Sequence, residues 1–151
     1  MIATDSADQL IEQLQLAPHP EGGWYRETYR AAPEASGRAR GTAILFLLKS
    51  DESSHWHRVD ADELWIWQGG DPLELMIAET DSGPVRSAFL GPAPRQGHLL
   101  QCVVPTDAWQ AARPASPAEN AAGYTLVSCV VVPGFDFAGF ELAPANWAPG
   151  R

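Results

Sequence analysis

Cysteine is scarce. The chain has two, Cys102 and Cys129, far apart, outside any C-x-x-C pattern and set in apolar runs. That excludes a disulfide framework and predicts two buried thiols in a cytosolic protein. Cations are scarce as well: ten Lys and Arg face nineteen Asp and Glu, a formal net charge of −9. Nucleic acid and anionic membranes both need clustered cations, so neither is an expected partner. Long apolar runs are missing. The longest, Ala43–Leu48, is too short to span a bilayer, and Met1–Asp8 is polar and acidic where a leader would be basic and then apolar. The expected compartment is therefore the cytoplasm. There is no repeat of fixed period and no second composition regime, which predicts one domain over residues 1–151. With 45% hydrophobic residues, such a chain can bury a core without staples.

Ser6-Ala-Asp-Gln9 has the form of a capping box, and Leu10, Ile11 and Leu14 recur on one helical face, so a short helix is expected over about residues 6–16, stopped by Pro18 and Pro20. Beyond it, thirteen glycines and thirteen prolines punctuate the chain. Between them lie short β-rich runs: Trp24–Arg30, Thr42–Leu48, Ser54–His57, Glu63–Gln68, Leu73–Glu79, Val85–Leu90, Leu99–Val104, Tyr124–Val132 and Phe137–Leu142. Many short strands with turns between them predict an all-β sandwich or barrel of jelly-roll type over about residues 23–143. Arg113–Ala122, rich in Ala, Pro and Ser, reads as a surface loop.

Of four histidines, His19 and His98 stand alone in turn-like surroundings and read as structural. His55 and His57 differ. Two residues apart on a strand, they project from the same face. If the following run returns as a hairpin, Glu63 comes back beside them, with Trp65 and Trp67 at the same parity. Two His and one carboxylate on a concave surface form a facial set that takes a divalent transition metal. Without metal, the same groups make an acid–base pair with an orienting partner. Trp65 and Trp67 are candidates for a stacking wall; Tyr25 and Tyr29 share the face of Glu27 and are candidates to close a pocket; Arg113 is a candidate anion anchor.

His55-Trp-His57, then Glu63, then Gly69-Gly70 resembles the first cupin motif. The likeness is closer to one branch, the DUF985 or cupin-5 family. It rests on His19-Pro-Glu-Gly-Gly-Trp-Tyr-Arg-Glu-Thr-Tyr29, Ser54-His-Trp-His-Arg58 with Asp62-Glu-Leu-Trp65, Gly70-Asp-Pro-Leu-Glu-Leu75, Val103-Val-Pro105 with Trp109-Gln-Ala-Ala-Arg113, and Pro133-Gly-Phe-Asp-Phe-Ala-Gly-Phe-Glu-Leu142. The resemblance implies a double-stranded β-helix, a homodimer, and a pocket for a small molecule in the barrel mouth. Kinship within cupins points toward sugar-nucleotide epimerases and germins. Two departures matter. Five residues separate His57 from Glu63, so that Asp62 fits the four-residue cupin spacing; strand parity favours Glu63. Gln110 stands where metal cupins carry a third histidine, and an amide oxygen is a much weaker ligand. The expected metal set is thus His55, His57 and Glu63, held weakly, with Gln110 as a doubtful fourth group.

Three functions are compatible with this reading. One is an epimerase, isomerase or dehydratase acting on a carbohydrate-like or nucleotide-linked molecule, with His55 or His57 as base, Glu63 orienting it and Gln110 polarising a carbonyl. A second is a metal-dependent oxygenase or decarboxylase. A third is a non-catalytic metabolite-binding protein.

Overall fold

A computed structural model describes residues 5–115 and 121–151. The helix α1 (Ala7–Gln13) begins with the capping box: the Gln9 backbone N–H donates to Ser6 Oγ at 3.2 Å, and the Ser6 backbone N–H donates to Gln9 Oε1 at 2.7 Å. It is shorter than the pattern implies because Gln15 turns left-handed, at φ 57°, before Pro18 is reached. Leu10, Ile11 and Leu14 pack against Leu47 and Tyr124 on the outside of the barrel. No helix among the described residues is long and apolar enough to cross a membrane.

Among the described residues eleven strands follow: β1 (Ala17–Pro18), β2 (Trp24–Arg30), β3 (Thr42–Lys49), β4 (Ser54–Val59), β5 (Asp62–Gly70), β6 (Leu73–Ala78), β7 (Arg86–Leu90), β8 (Gln101–Val104), β9 (Trp109–Pro114), β10 (Tyr124–Val132) and β11 (Phe140–Leu142). They form two antiparallel sheets, ordered β1-β2-β3-β10-β5-β8 and β11-β4-β9-β6-β7. This is the jelly roll that the strand spacing predicts. Two strands escaped the reading. The two-residue β1 is too short to leave a pattern. The run Trp109-Gln-Ala-Ala-Arg-Pro114 has low β propensity, yet it is the middle strand of the second sheet. Arg113 and Pro114 therefore close a strand; residues 116–120 of the expected loop lie outside the described residues.

The sharpest difference concerns β4 and β5. They do not pair as a hairpin. β4 joins β9 and β11, while β5 joins β8 and β10 in the other sheet. The Asp60–Ala61 turn crosses between sheets, so the inner faces of β4 and β5 meet across the barrel interior.

That interior is filled at one end and hollow at the other. On β3, Phe46 and Leu48 enter the main core, whereas Thr42 and Ile44 line a cavity. On β10, Val127 is in the core and Val131 on the cavity wall, with Cys129 touching both. On β5, Trp65 is core and Glu63 is cavity. Alternation sends the same parity inward along each strand; depth along the strand then decides whether a residue packs or lines the hollow.

Candidate active site

The cavity has a volume of about 400 Å³, within the range of small-molecule sites. Its floor is Glu21, His57 and Glu63; its rim is Tyr25, Glu27 and Arg30 of β2, with Phe135, Phe137 and Phe140 closing the side.

Glu21 reaches the interior through the tight turn between β1 and β2. Gly22 takes φ 109°, and a β-carbon there would lie 2.2 Å from the Ser53 carbonyl oxygen. Only glycine allows the turn to press so closely onto the start of β4. The His55 N–H then donates to the Glu21 carbonyl at 2.8 Å, and the Ser54 hydroxyl donates to the Glu21 carboxyl. His57 Nε2 lies 3.0 Å from Glu21 Oε2 and His19 Nδ1 lies 3.3 Å from Glu21 Oε1.

The tautomers follow from the partners. His57 Nδ1 sits 2.7 Å from the His55 carbonyl oxygen, which can only accept, so Nδ1 carries the hydrogen and neutral His57 has a bare Nε2. His19 Nδ1 accepts the Glu21 N–H at 3.1 Å and is also bare. Glu21 thus faces two hydrogen-free ring nitrogens, and a proton must lie between Glu21 and His57. The titration tendencies agree. Burial pushes Glu21 up to about 8, against the Ser54 hydrogen bond. Burial, with His57 nearby, lowers His19 to about 4. Burial lowers His57 too, against the pull of Glu63. At neutral pH the contact is one shared proton rather than an ion pair of two charges.

Glu63, 6% exposed, is held from behind. The Trp65 indole N–H can only donate, and it does so to Gln110 Oε1 at 2.8 Å; this orients the amide so that Gln110 Nε2 donates to Glu63 Oε1 at 2.9 Å. The Cys129 thiol lies beside Glu63 on the cavity wall. Burial raises Glu63 to about 7, with His57 opposing and Glu21 reinforcing the rise. The two carboxyls feel each other and titrate as a coupled set with His57.

Of the residues expected at the site, Glu63, His57 and Tyr25 line the cavity. His55 does not: its Nε2 lies 2.9 Å from the Pro144 carbonyl oxygen. The pairing of β4 with β9 slips between Ser54 and His57, which breaks the alternation that would have put both imidazoles on one face. Gln110 is buried behind Glu63, its amide engaged by Trp65 and Glu63, and it does not line the cavity. Trp65 is core, against Phe46; Trp67 bonds the Asp71 carbonyl at 3.1 Å, deeper than the cavity. Tyr29 is 61% exposed, because the β2–β3 register shifts between Glu27 and Tyr29 and turns it outward. Arg113 pairs with Glu74 at 2.9 Å, away from the cavity. Asp62 accepts from Thr106 on the outside, which leaves Glu63 as the interior carboxyl. His98 accepts the Ala93 N–H and is structural. The role expected of Glu63, orienting His57, belongs to Glu21. His19-Pro-Glu-Gly-Gly carried the signal, but a glutamate ahead of two glycines reads as a solvated turn until packing buries it.

His55 is turned to Pro144, His57 Nε2 to Glu21, and Gln110 to Trp65 and Glu63. Among the described residues no group of three or more His, Cys, Asp or Glu is arranged to hold a metal ion. The expected set of His55, His57 and Glu63 does not assemble.

The family model described as Cupin superfamily (DUF985) matches residues 8–143. The chain belongs to this family. The uncharacterised protein YML079W of Saccharomyces cerevisiae is 31% identical over 148 residues, covering 87% of this cupin and 72% of the yeast protein. Among solved structures, a hypothetical protein from Leishmania major superposes with a TM-score of 0.83 at 38% identity, covering 92% of this chain and 88% of that one. Protein SO0799 from Shewanella oneidensis gives 0.82 at 36% identity, covering 93% and 85%. An oxalate decarboxylase variant from Bacillus subtilis gives 0.60 at 12% identity over 83% of this DUF985 cupin and 29% of its own chain, a likeness of fold alone.

Proposed function

We propose that this cupin is an acid–base enzyme of the epimerase or isomerase kind, moving a proton on a small polar carbonyl compound held in the cavity. The observation that carries the reading is the Glu21 carboxyl between two bare imidazole nitrogens, with a second raised carboxyl beside it on the floor of a hollow of small-molecule size. Groups whose affinities are pushed toward neutrality by burial are suited to proton transfer near pH 7.

Glu21 is the group that meets the substrate; His57, with Nδ1 fixed on the His55 carbonyl, is its proton-holding partner. Once the shared proton has left, the pair takes a proton from the carbon next to the carbonyl. The C–H bond breaks, its electron pair moves into the carbonyl to form an enolate, and the proton returns to the same or the adjacent carbon. Glu63, on the same floor, fixes the substrate, and the phenylalanines limit water. Arg30 is the cation on the cavity wall among the described residues. It already bonds Glu27 at 2.7 and 3.1 Å and the Phe135 carbonyl at 3.2 Å. A substrate without phosphate suits this lining better than a nucleotide-linked one.

The test is hydrogen exchange. Hydroxy-ketones and aldoses incubated with protein in heavy water should gain deuterium at the carbon next to the carbonyl, faster as pH rises through about 8, where the Glu21–His57 proton leaves. Glu21→Gln should lose at least about a hundredfold in rate while keeping its fold, the scale of a lost general base. Exchange unaffected by Glu21→Gln would overturn the assignment.

A further inference from the structure

We propose that the ligand of this cavity is a small organic cation, an ammonium-bearing molecule whose charge is met by Glu63 and whose carbon skeleton lies against the phenylalanine wall. The inference rests on reading the cavity as the ligand site and adds the chemical class.

Three observations lead to it. First, Glu21 and Glu63 are both buried carboxyls with no cationic side chain against them among the described residues. Glu21 has a hydroxyl and two imidazoles that burial keeps neutral; Glu63 has an amide N–H and a thiol. A buried carboxyl without a counter-charge is costly when ionised, and two in one hollow cannot both ionise cheaply. Second, the rest of the wall does not repair this. Glu27 and Asp136 add acid, and the guanidinium of Arg30 is engaged by Glu27. An anionic ligand would meet this surplus directly. Third, Phe135, Phe137 and Phe140 stand mutually edge to face, with centroids 4.8 to 5.9 Å apart, and line the same space. Aromatic faces attract cations through their quadrupoles, most strongly where water is excluded. Carboxyls lacking a counter-ion beside an aromatic wall are complementary to alkylammonium groups.

A cation entering the cavity favours the ionised form of Glu63 and expels its proton. The groups that face Glu63 are His57 on β4, Glu21 in the β1–β2 turn and Cys129 on β10, with Glu27, Arg30, His19 and Asp136 on the surrounding wall. Of these, the thiol is held protonated by burial and His19 stays neutral, so the released proton comes from the coupled set of Glu63, Glu21 and His57.

The experiment uses the whole chain with chelator present. Choline and its uncharged carbon isostere dimethylbutanol form one pair of probes; ethanolamine, ethylene glycol and glycolate form a second set. Binding is measured by calorimetry in two buffers of different ionisation heat and by carboxyl carbon NMR of glutamate-labelled protein. Choline or ethanolamine should bind at least about tenfold more tightly than its uncharged partner, release protons at pH 7, move a glutamate carboxyl resonance toward the ionised position, and gain about tenfold in affinity from pH 6 to 8. Glu63→Gln should remove that preference. The inference is overturned if neither amine binds, if the uncharged or carboxylate probes bind as well, or if wild-type protein binds amines with no proton release. Should Glu63→Gln not fold, the proton release and the NMR shift in wild type decide alone. Amines that bind while Glu21→Gln leaves hydrogen exchange unaffected would refute the acid–base reading and leave this one standing; exchange on an uncharged ketone without amine binding would do the reverse.

Discussion

Replacing Glu63 with Gln should make the protein more stable at pH 8 and leave it nearly unchanged at pH 5. Burial lifts this carboxyl from 4.5 to about 7 in the folded chain. A group raised on folding contributes its full stability below its unfolded value and loses it as pH climbs through its folded value. Wild-type stability should therefore decline between about pH 4.5 and 7 on account of Glu63, and further toward about 8 on account of Glu21. A tenfold change in proton affinity corresponds to about 1.4 kcal/mol, so the Glu63 displacement amounts to about 3 kcal/mol, part of it shared with Glu21 because the two repel. Glutamine mimics the protonated acid: its oxygen still accepts from Gln110 Nε2, and its amide offers a donor toward the cavity. Urea unfolding at pH 5, 6, 7, 8 and 9 measures the comparison. The curves should lie within about 1 kcal/mol of each other at pH 5 and separate by about 2–3 kcal/mol at pH 8, with the variant above. Parallel curves across the range would show that Glu63 ionises without cost and that the cavity is wetter than its lining indicates. A variant below wild type at every pH would show that Gln110 and Cys129 need the carboxyl for packing.

Gly22→Ala should destabilise by about 2 kcal/mol or more and weaken any ligand binding, since the β-carbon collides with the Ser53 carbonyl and pushes Glu21 off His57; urea unfolding and exchange assays check both. Asp62→Asn should cost about 1 kcal/mol through Thr106 and leave binding and exchange unchanged; loss of function there would put the site carboxyl one residue earlier. Homodimer formation is proposed through β2: β1 covers only Trp24 and Tyr25, leaving the rest of that edge and Tyr29 open. Light scattering should give twice the chain mass, and Tyr29→Lys should shift it toward the monomer.

The sequence by itself determined the jelly roll, because turn residues and alternating apolar runs are local signals. It determined the N-cap at Ser6. It also brought His57 and Glu63 together, but through a hairpin that does not form: both line the cavity because the short Asp60–Ala61 turn crosses between the sheets. Tertiary structure decided the rest. A one-residue slip in β4 removed His55, and a similar slip in β2 sent Tyr29 outward; neither leaves a mark in composition, since register depends on the neighbouring strand. The alanine-rich β9 is a strand only because β4 and β6 flank it. Depth along the barrel made Trp65 and Gln110 packing and support, and made Glu63 lining, although all three face inward. Glu21 became the centre of the site only through Gly22, whose positive φ lets a polar turn close onto Ser53 and Ser54. Burial is a property of the whole fold, and burial sets the proton affinities on which the chemistry rests.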